Sequence, residues 1–343
     1  MIELAKELLR IPSVSGTEGD LGEYLVKRLS KNFEVEKQFV AKGRYNVVAR
    51  SGKPNVLLTI HMDTVPGDLP VEVRNGRLYG RGAVDAKGPM ACMIAAAERA
   101  VQQGITDFAL AFNVGEETDF AGITKIVDTI KPGCVLVGEP TCLRLRTAQK
   151  GILECELLAK GRSAHAATPG RGSCAITTLM DVLRSIQRLP LSTDVLLGKS
   201  TVSIGTLKGG SAVNMVAANA SATFSLRYGP KDRDIRTQIM KILPANVRMR
   251  VICDYGSCIV EDAALLDRLG KVLQPYADVE AIAKPGFTEM YFWSKVAPTV
   301  VIGPGDDSSE HTDDENILLD DLQKGTSFYL DVLKKMGSYK PSK

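Results

Sequence analysis

Val56-Leu-Leu-Thr-Ile-His61-Met-Asp63-Thr-Val-Pro66 begins with five uncharged residues and then sets a histidine and an aspartate two positions apart. A short uncharged run bounded by polar residues and a proline reads as a strand covered on both faces, since a strand with one wet face would alternate. The pattern returns in Phe108-Ala-Leu-Ala-Phe-Asn-Val114, Cys134-Val-Leu-Val137 and Pro298-Thr-Val-Val-Ile302, and Tyr45-Asn-Val-Val-Ala-Arg50 is a further strand. Helical spacing fills the intervals. Leu21, Tyr24, Leu25 and Leu29 share a face within 17–32, and Met90, Met93, Ile94, Ala97 and Val101 do so after Pro89. Ile123, Ile126, Val127 and Ile130 predict another helix, and Leu318, Leu322, Tyr329, Val332, Leu333 and Met336 a last one. Strands alternating with helices predict an α/β fold with a largely parallel sheet.

Near Lys150 the order changes. A strand at Ile152–Leu158 precedes a helix over about 173–188, strands at Thr201–Leu207 and Ala220–Arg227, a helix over 232–243 and a strand at Asn246–Ile252. This βαββαβ order is that of a ferredoxin-like unit. Because the buried-strand pattern resumes afterwards, the unit is read as inserted: one domain from 1–149 and 259–343, the other from 150–258. Two domains also suit a chain of 343 residues.

Composition narrows the function classes. With 44% hydrophobic and 24% charged residues the chain is neither disordered nor fibrous, and no apolar run approaches a membrane span. The early charges Glu3, Lys6 and Glu7 argue against a secretory signal, so a cytoplasmic location is expected. The net charge is +3, with Lys and Arg dispersed, which predicts neither nucleic-acid nor membrane binding. None of the seven cysteines has CxxC spacing and most lie in apolar stretches, so they are read as buried thiols of a reducing compartment.

Only three histidines are present, each in a polar, turn-rich setting: His61, His165 in Gly161-Arg-Ser-Ala-His165, and His311 in the acidic run 303–315. Asp85 lies directly before a helix, in Gly80-Arg-Gly-Ala-Val-Asp85-Ala-Lys-Gly-Pro89, where an aspartate commonly caps. Three strands are followed by an acid and a turn, giving Asp63, the pair Glu116 and Glu117, and Glu139. Ligands of open α/β sheets bind beyond the carboxyl ends of the strands, so these acids and His61 should converge on one edge. Imidazoles with several carboxylates suit zinc, cobalt or manganese, and two cations sharing a carboxylate need about this many acids. One of Glu116 and Glu117 would then bind metal while the other takes a proton from water. Asp63, on the same side of the strand as His61, is placed to orient the imidazole.

The segments HMDTVP (61–66), YGRGAVDAKG (79–88), GEE (115–117), GEPT (138–141), GRSAHA (161–166) and GPGDDSSEHTDDE (303–315) resemble, in order, those of the acetylornithine deacetylase, succinyl-diaminopimelate desuccinylase and glutamate carboxypeptidase family of two-zinc peptidases. The resemblance implies a zinc-peptidase catalytic domain with the inserted ferredoxin-like unit as its lid or dimerisation domain, and a homodimer. It implies two divalent ions, zinc first: one on His61, Asp85 and Glu139, the other on Asp85, Glu117 and His311, with Asp85 bridging. Glu116 would be general base and then acid, and His165 would stabilise the oxyanion at a neighbouring subunit's site. The resemblance also implies a cis peptide at Asp85–Ala86.

For substrate binding, the resemblance implies Arg227 on the substrate carboxylate, with Asn214, Lys150 and Thr288 contributing. The runs at 61–73 and 77–89 look most like the hydrolases that release lysine or ornithine from an acidic amino-group carrier protein in lysine and arginine biosynthesis. Acetylornithine deacetylase or succinyl-diaminopimelate desuccinylase, acting on a small N-acyl amino acid, is the alternative, then a dipeptidase or aminoacylase. A non-catalytic binding relative is the rival class, and the complete set of expected ligands and base favours the enzyme.

Overall fold

The computed structural model describes residues 1–277, 281–284 and 286–341. The strands Val56–His61, Phe108–Asn113, Cys134–Val137 and Thr299–Val301 are buried along their whole length. They lie side by side as parallel neighbours in the order Phe108–Asn113, Val56–His61, Cys134–Val137, Thr299–Val301. Antiparallel strands flank this block: Arg44–Ser51 and Glu34–Ala41 beyond Phe108–Asn113, and Leu145–Gln149 beyond Thr299–Val301. The sheet is therefore mixed, with a parallel centre, and the fold is α/β.

Register sets the functional edge. His61 pairs with Asn113, Thr59 with Val137, and Val137 with Val301. The four parallel strands therefore end nearly level, and the segments after His61, Asn113, Val137 and Val301 leave from one edge.

Helix Lys87–Gln102 is buried at nearly every position through Ala97 and packs against helices Ile2–Leu9 and Leu319–Met336. Its alanines permit this enclosure, and Pro89 stands in its first turn, where the missing N–H costs no helical bond. Gly88 is required there. A Cβ would lie 2.1 Å from the Ala83 carbonyl oxygen.

The chain divides into two compact units, the first Met1–Thr147, Val260–Ile282 and Thr288–Lys343, the second Ala148–Ile259 with Ala283–Phe287. The sequence reading leaves 283–287 with the first. Phe287 stacks on Tyr255, ring centroids 5.4 Å apart, which attaches that segment to the second unit.

Within the second unit, strands Gly151–Lys160, Thr201–Gly209, Asn219–Tyr228 and Val247–Tyr255 form an antiparallel sheet with the helices Ala175–Gln187 and Ile235–Ile242 between them in sequence. Its spatial order, Thr201–Gly209, Asn219–Tyr228, Gly151–Lys160, Val247–Tyr255, is the ferredoxin-like one. Burial alternates residue by residue along Asn219–Tyr228, as expected when one face packs on helices. Leu153, Cys155, Leu157, Phe224 and Leu226 join Leu179, Leu183 and Ile239 in a core of its own. Thr201–Gly209 is the terminal strand of this sheet and is exposed at nearly every residue, Ile204 and Leu207 included.

Three cysteines, Cys92, Cys134 and Cys155, are buried as expected, whereas Cys174, Cys253 and Cys258 are partly exposed and Cys142, in a turn with φ +53°, is exposed. No helix among the described residues is long and apolar enough to cross a membrane.

Candidate metal and catalytic site

His61 is the last residue of a fully buried strand and is itself 2% exposed. Its Nδ1–H donates to the Asp63 backbone carbonyl at 3.0 Å, and its Nε2 faces Asp85 Oδ1 at 2.9 Å. The Asp63 carboxylate, expected to orient the ring, stands farther off at 3.6 Å. It is held instead by the backbone N–H groups of Glu116 and Glu117, each at 3.1 Å, and by the Ser15 hydroxyl at 2.7 Å. Asp63 thus does two things from two groups: its carbonyl fixes the His61 ring, and its carboxylate fixes the backbone of the Glu116–Glu117 turn.

Asp85 is 7% exposed and lies between both imidazoles. Oδ1 faces His61, and Oδ2 accepts from His311 Nε2 at 3.1 Å, a nitrogen that also stands 3.0 Å from Glu117 Oε1. His311 reaches this position from a left-handed residue, φ +61°. The peptide between Asp85 and Ala86 is cis, as the resemblance implies. Glu139 follows the Cys134–Val137 strand and is buried. Its backbone packs so closely on Gly303 that a Cβ there would meet the Glu139 carbonyl oxygen at 2.5 Å.

Burial and, after it, crowding of like charge set the electrostatics. Burial, and next the Glu139 carboxylate, push Glu116 well above the usual carboxylate range. Burial and Asp85 raise Glu117 to about 7. Burial disfavours the His61 cation, but Asp63 and Asp85 outweigh it, and His61 is raised well above its ordinary value. Hydrogen bonding to Asp85 lifts His311 to about 9. Ligand atoms of His61, Asp85 and Glu117 lie within 4.8 Å of one another. A nitrogen and oxygen donor set this dense in acid fits divalent cations, which would relieve the repulsion that now drives protons onto the carboxyls.

The remaining expected site residues are placed as follows. Thr288 is buried, and its hydroxyl oxygen accepts the Met290 N–H at 3.2 Å. In the second unit His165 is exposed, and its Nδ1 accepts the Ala167 N–H at 3.0 Å, which leaves Nε2–H as the outward donor of the neutral ring. Arg227 lies in the Asn219–Tyr228 strand with Nη2 3.9 Å from Glu154. Lys150 Nζ donates to the Lys199 carbonyl, and exposed Asn214 accepts the Ala166 N–H through its own carbonyl.

Two acids to which the sequence reading assigns no role support the site. Glu315 is 1% exposed, and its Oε1 accepts the N–H groups of Val84 and Asp85, each at 3.1 Å, while Oε2 binds Arg81 at 2.7 Å. It fixes the backbone from which Asp85 projects. Such outer supports are worth about 10–100-fold in metal affinity or activity. Glu315→Gln is therefore expected to weaken zinc binding by that factor in a calorimetric titration, with the circular dichroism spectrum unchanged.

Glu289 is 1% exposed, and its Oε2 accepts from Asn113 at 2.7 Å, just behind the His61 strand end. Burial raises it from 4.5 to about 7. The folded chain therefore keeps this proton where the unfolded chain has released it, so the stability it contributes is complete below about 4.5 and is lost as pH rises through about 7. Glu289→Gln removes that slope. In metal-free protein the variant should gain in melting temperature on the wild type between pH 5 and pH 8, by an amount equivalent to a few kcal/mol; parallel curves would contradict it.

Comparison with known proteins agrees with this geometry. Residues 57–335 match the profile of peptidase family M20/M25/M40. A probable carboxypeptidase of Aspergillus oryzae is 32% identical over 96% of this chain and 88% of its own length. One from Aspergillus clavatus is 29% identical over 98% and 88%. Among solved structures, a tripeptidase of Staphylococcus aureus superposes with a TM-score of 0.86 at 22% identity, covering 98% of each chain. A family M20 metallo-carboxypeptidase of Sulfolobus solfataricus gives 0.79 at 18%, covering 98% and 99%. The chain belongs to peptidase family M20/M25/M40 and is a metallopeptidase-type hydrolase of amide bonds.

Proposed function

We propose that this protein is a two-metal hydrolase that releases lysine or ornithine from the acidic tail of an amino-group carrier protein. The observation that carries the two-metal reading is Asp85, whose two oxygens each face a different imidazole. His61 and Glu139 would complete one ion's ligands, and Glu117 and His311 the other's. When bound, the ions supply Lewis acidity toward the amide carbonyl and the attacking water.

Glu116, enclosed by like charge, accepts the proton of that water on its carboxylate and returns it to the leaving nitrogen. The Nε2–H of His165 stabilises the oxygen that becomes negative, and the Arg227 guanidinium receives the carboxylate of the departing amino acid. Asn214, Lys150 and Thr288 complete the substrate contacts by resemblance. The half-exposed His311 keeps the site open to an extended substrate.

The carrier reading rests on the runs around His61 and Asp85. A carboxypeptidase reading is favoured by the curated relatives, which are named as such. Comparing kcat/KM for carrier-linked lysine, acetylornithine, succinyl-diaminopimelate and peptides ending in lysine, with zinc and cobalt each supplied, decides between them. Carrier-linked lysine should lead by at least about tenfold, and a faster peptide would transfer the assignment to carboxypeptidase.

A homodimer formed through the exposed Thr201–Gly209 strand is part of the proposal. Ile204→Glu with Leu207→Glu is expected to give a monomer in sedimentation. An unchanged mass excludes that edge.

A further inference from the structure

Arg77, Lys324, Asp306 and Asp321 face one cavity of about 350 Å³ in the first unit. Arg77 donates to Asn316 Oδ1 at 2.6 Å, and Asp306 accepts the Ser308 N–H at 2.8 Å. Among the described residues none of the four is within 4.0 Å of an opposite charge. Yet their fields overlap. Burial raises Asp321, while Lys324 and Arg77 pull it the other way. Two cations and two acids thus line one space with no direct ion pair among them.

Charge arithmetic selects the occupant. A metal ion would pair with the acids but meet Arg77 and Lys324. A phosphate would pair with these and meet Asp306 and Asp321. A small zwitterion satisfies both pairs at once. Leu143, Tyr276 and Ile317 supply apolar wall, and the volume is at the small end for ligand sites. We infer that the cavity binds a free α-amino acid with an apolar side chain. It contains none of the expected metal ligands. It does border loops that carry two of them, Leu143 following Glu139 by four residues and Ser309 preceding His311 by two. A bound amino acid would tie these loops together, so that a molecule of the hydrolytic product's class bears on the site from outside it.

The test is calorimetric titration of the full-length, zinc-loaded protein with leucine. 4-Methylpentanoate, which lacks the ammonium, and 3-methylbutylamine, which lacks the carboxylate, are compared with it. Leucine should bind with Kd on the order of 1 mM, and each half-molecule about tenfold or more weaker. Asp321→Asn and Lys324→Ala, neither of which touches an expected metal ligand, should each weaken leucine by a similar factor. Three outcomes overturn the assignment: no leucine heat at about 10 mM, half-molecules as tight as leucine, or both variants binding as the wild type does, which would place leucine at the metal site alone.

Discussion

Asp85→Ala is expected to lose metal and turnover together. The two oxygens of Asp85 are each within 3.1 Å of a different imidazole, so one substitution removes a ligand from both expected ions at once. It also leaves Glu116, Glu117 and Glu139 with no shared cation, and burial together with the Glu139 field continues to hold Glu116 above the usual carboxylate range. Elemental analysis after dialysis should find neither ion retained, and activity should fall by at least about 10⁴-fold, since both the polarising and the templating roles of the metals go. Retention of one full equivalent would show that Asp85 does not bridge.

Glu116→Gln is expected to separate chemistry from metal binding. Gln is isosteric, and the backbone N–H that anchors position 116 to Asp63 is untouched, so the turn keeps its shape. What disappears is the ability to take and return a proton, worth about 10²–10⁴-fold. kcat should drop within that range while the zinc content stays at the wild-type value and KM moves little. A variant with full activity would remove Glu116 from the mechanism, and one that lost zinc would make it a ligand instead.

The central strands are legible in the sequence because complete burial leaves uncharged runs at Val56–Ile60, Phe108–Phe112 and Cys134–Val137. Their acids are legible because parallel strands release their carboxyl ends on one edge. Glu34–Ala41 is not read, since this edge strand is half in water and carries charge at Glu34, Glu36 and Lys37, which leaves no uncharged run. The strands Glu72–Arg74, Arg77–Tyr79 and Asn316–Leu318 have three residues each, too few to show a period. The spacing of Ile123 to Ile130 predicts a longer helix than Ala121–Ile126; Pro132 disfavours helix at its preceding residue, and the chain turns at Thr129, whose N–H binds the Ile126 carbonyl. Glu315 escapes for a different reason. Its partners Val84 and Asp85 are 231 and 230 positions away, and no local pattern records such a contact.

The long segment of the second unit, Ala148–Ile259, begins and ends on neighbouring strands: Gln149 pairs with Cys258 and Ala148 with Ile259. The excursion of over a hundred residues therefore departs and comes back through a single doorway. Its far loops can therefore lengthen without disturbing the strand order of the host sheet.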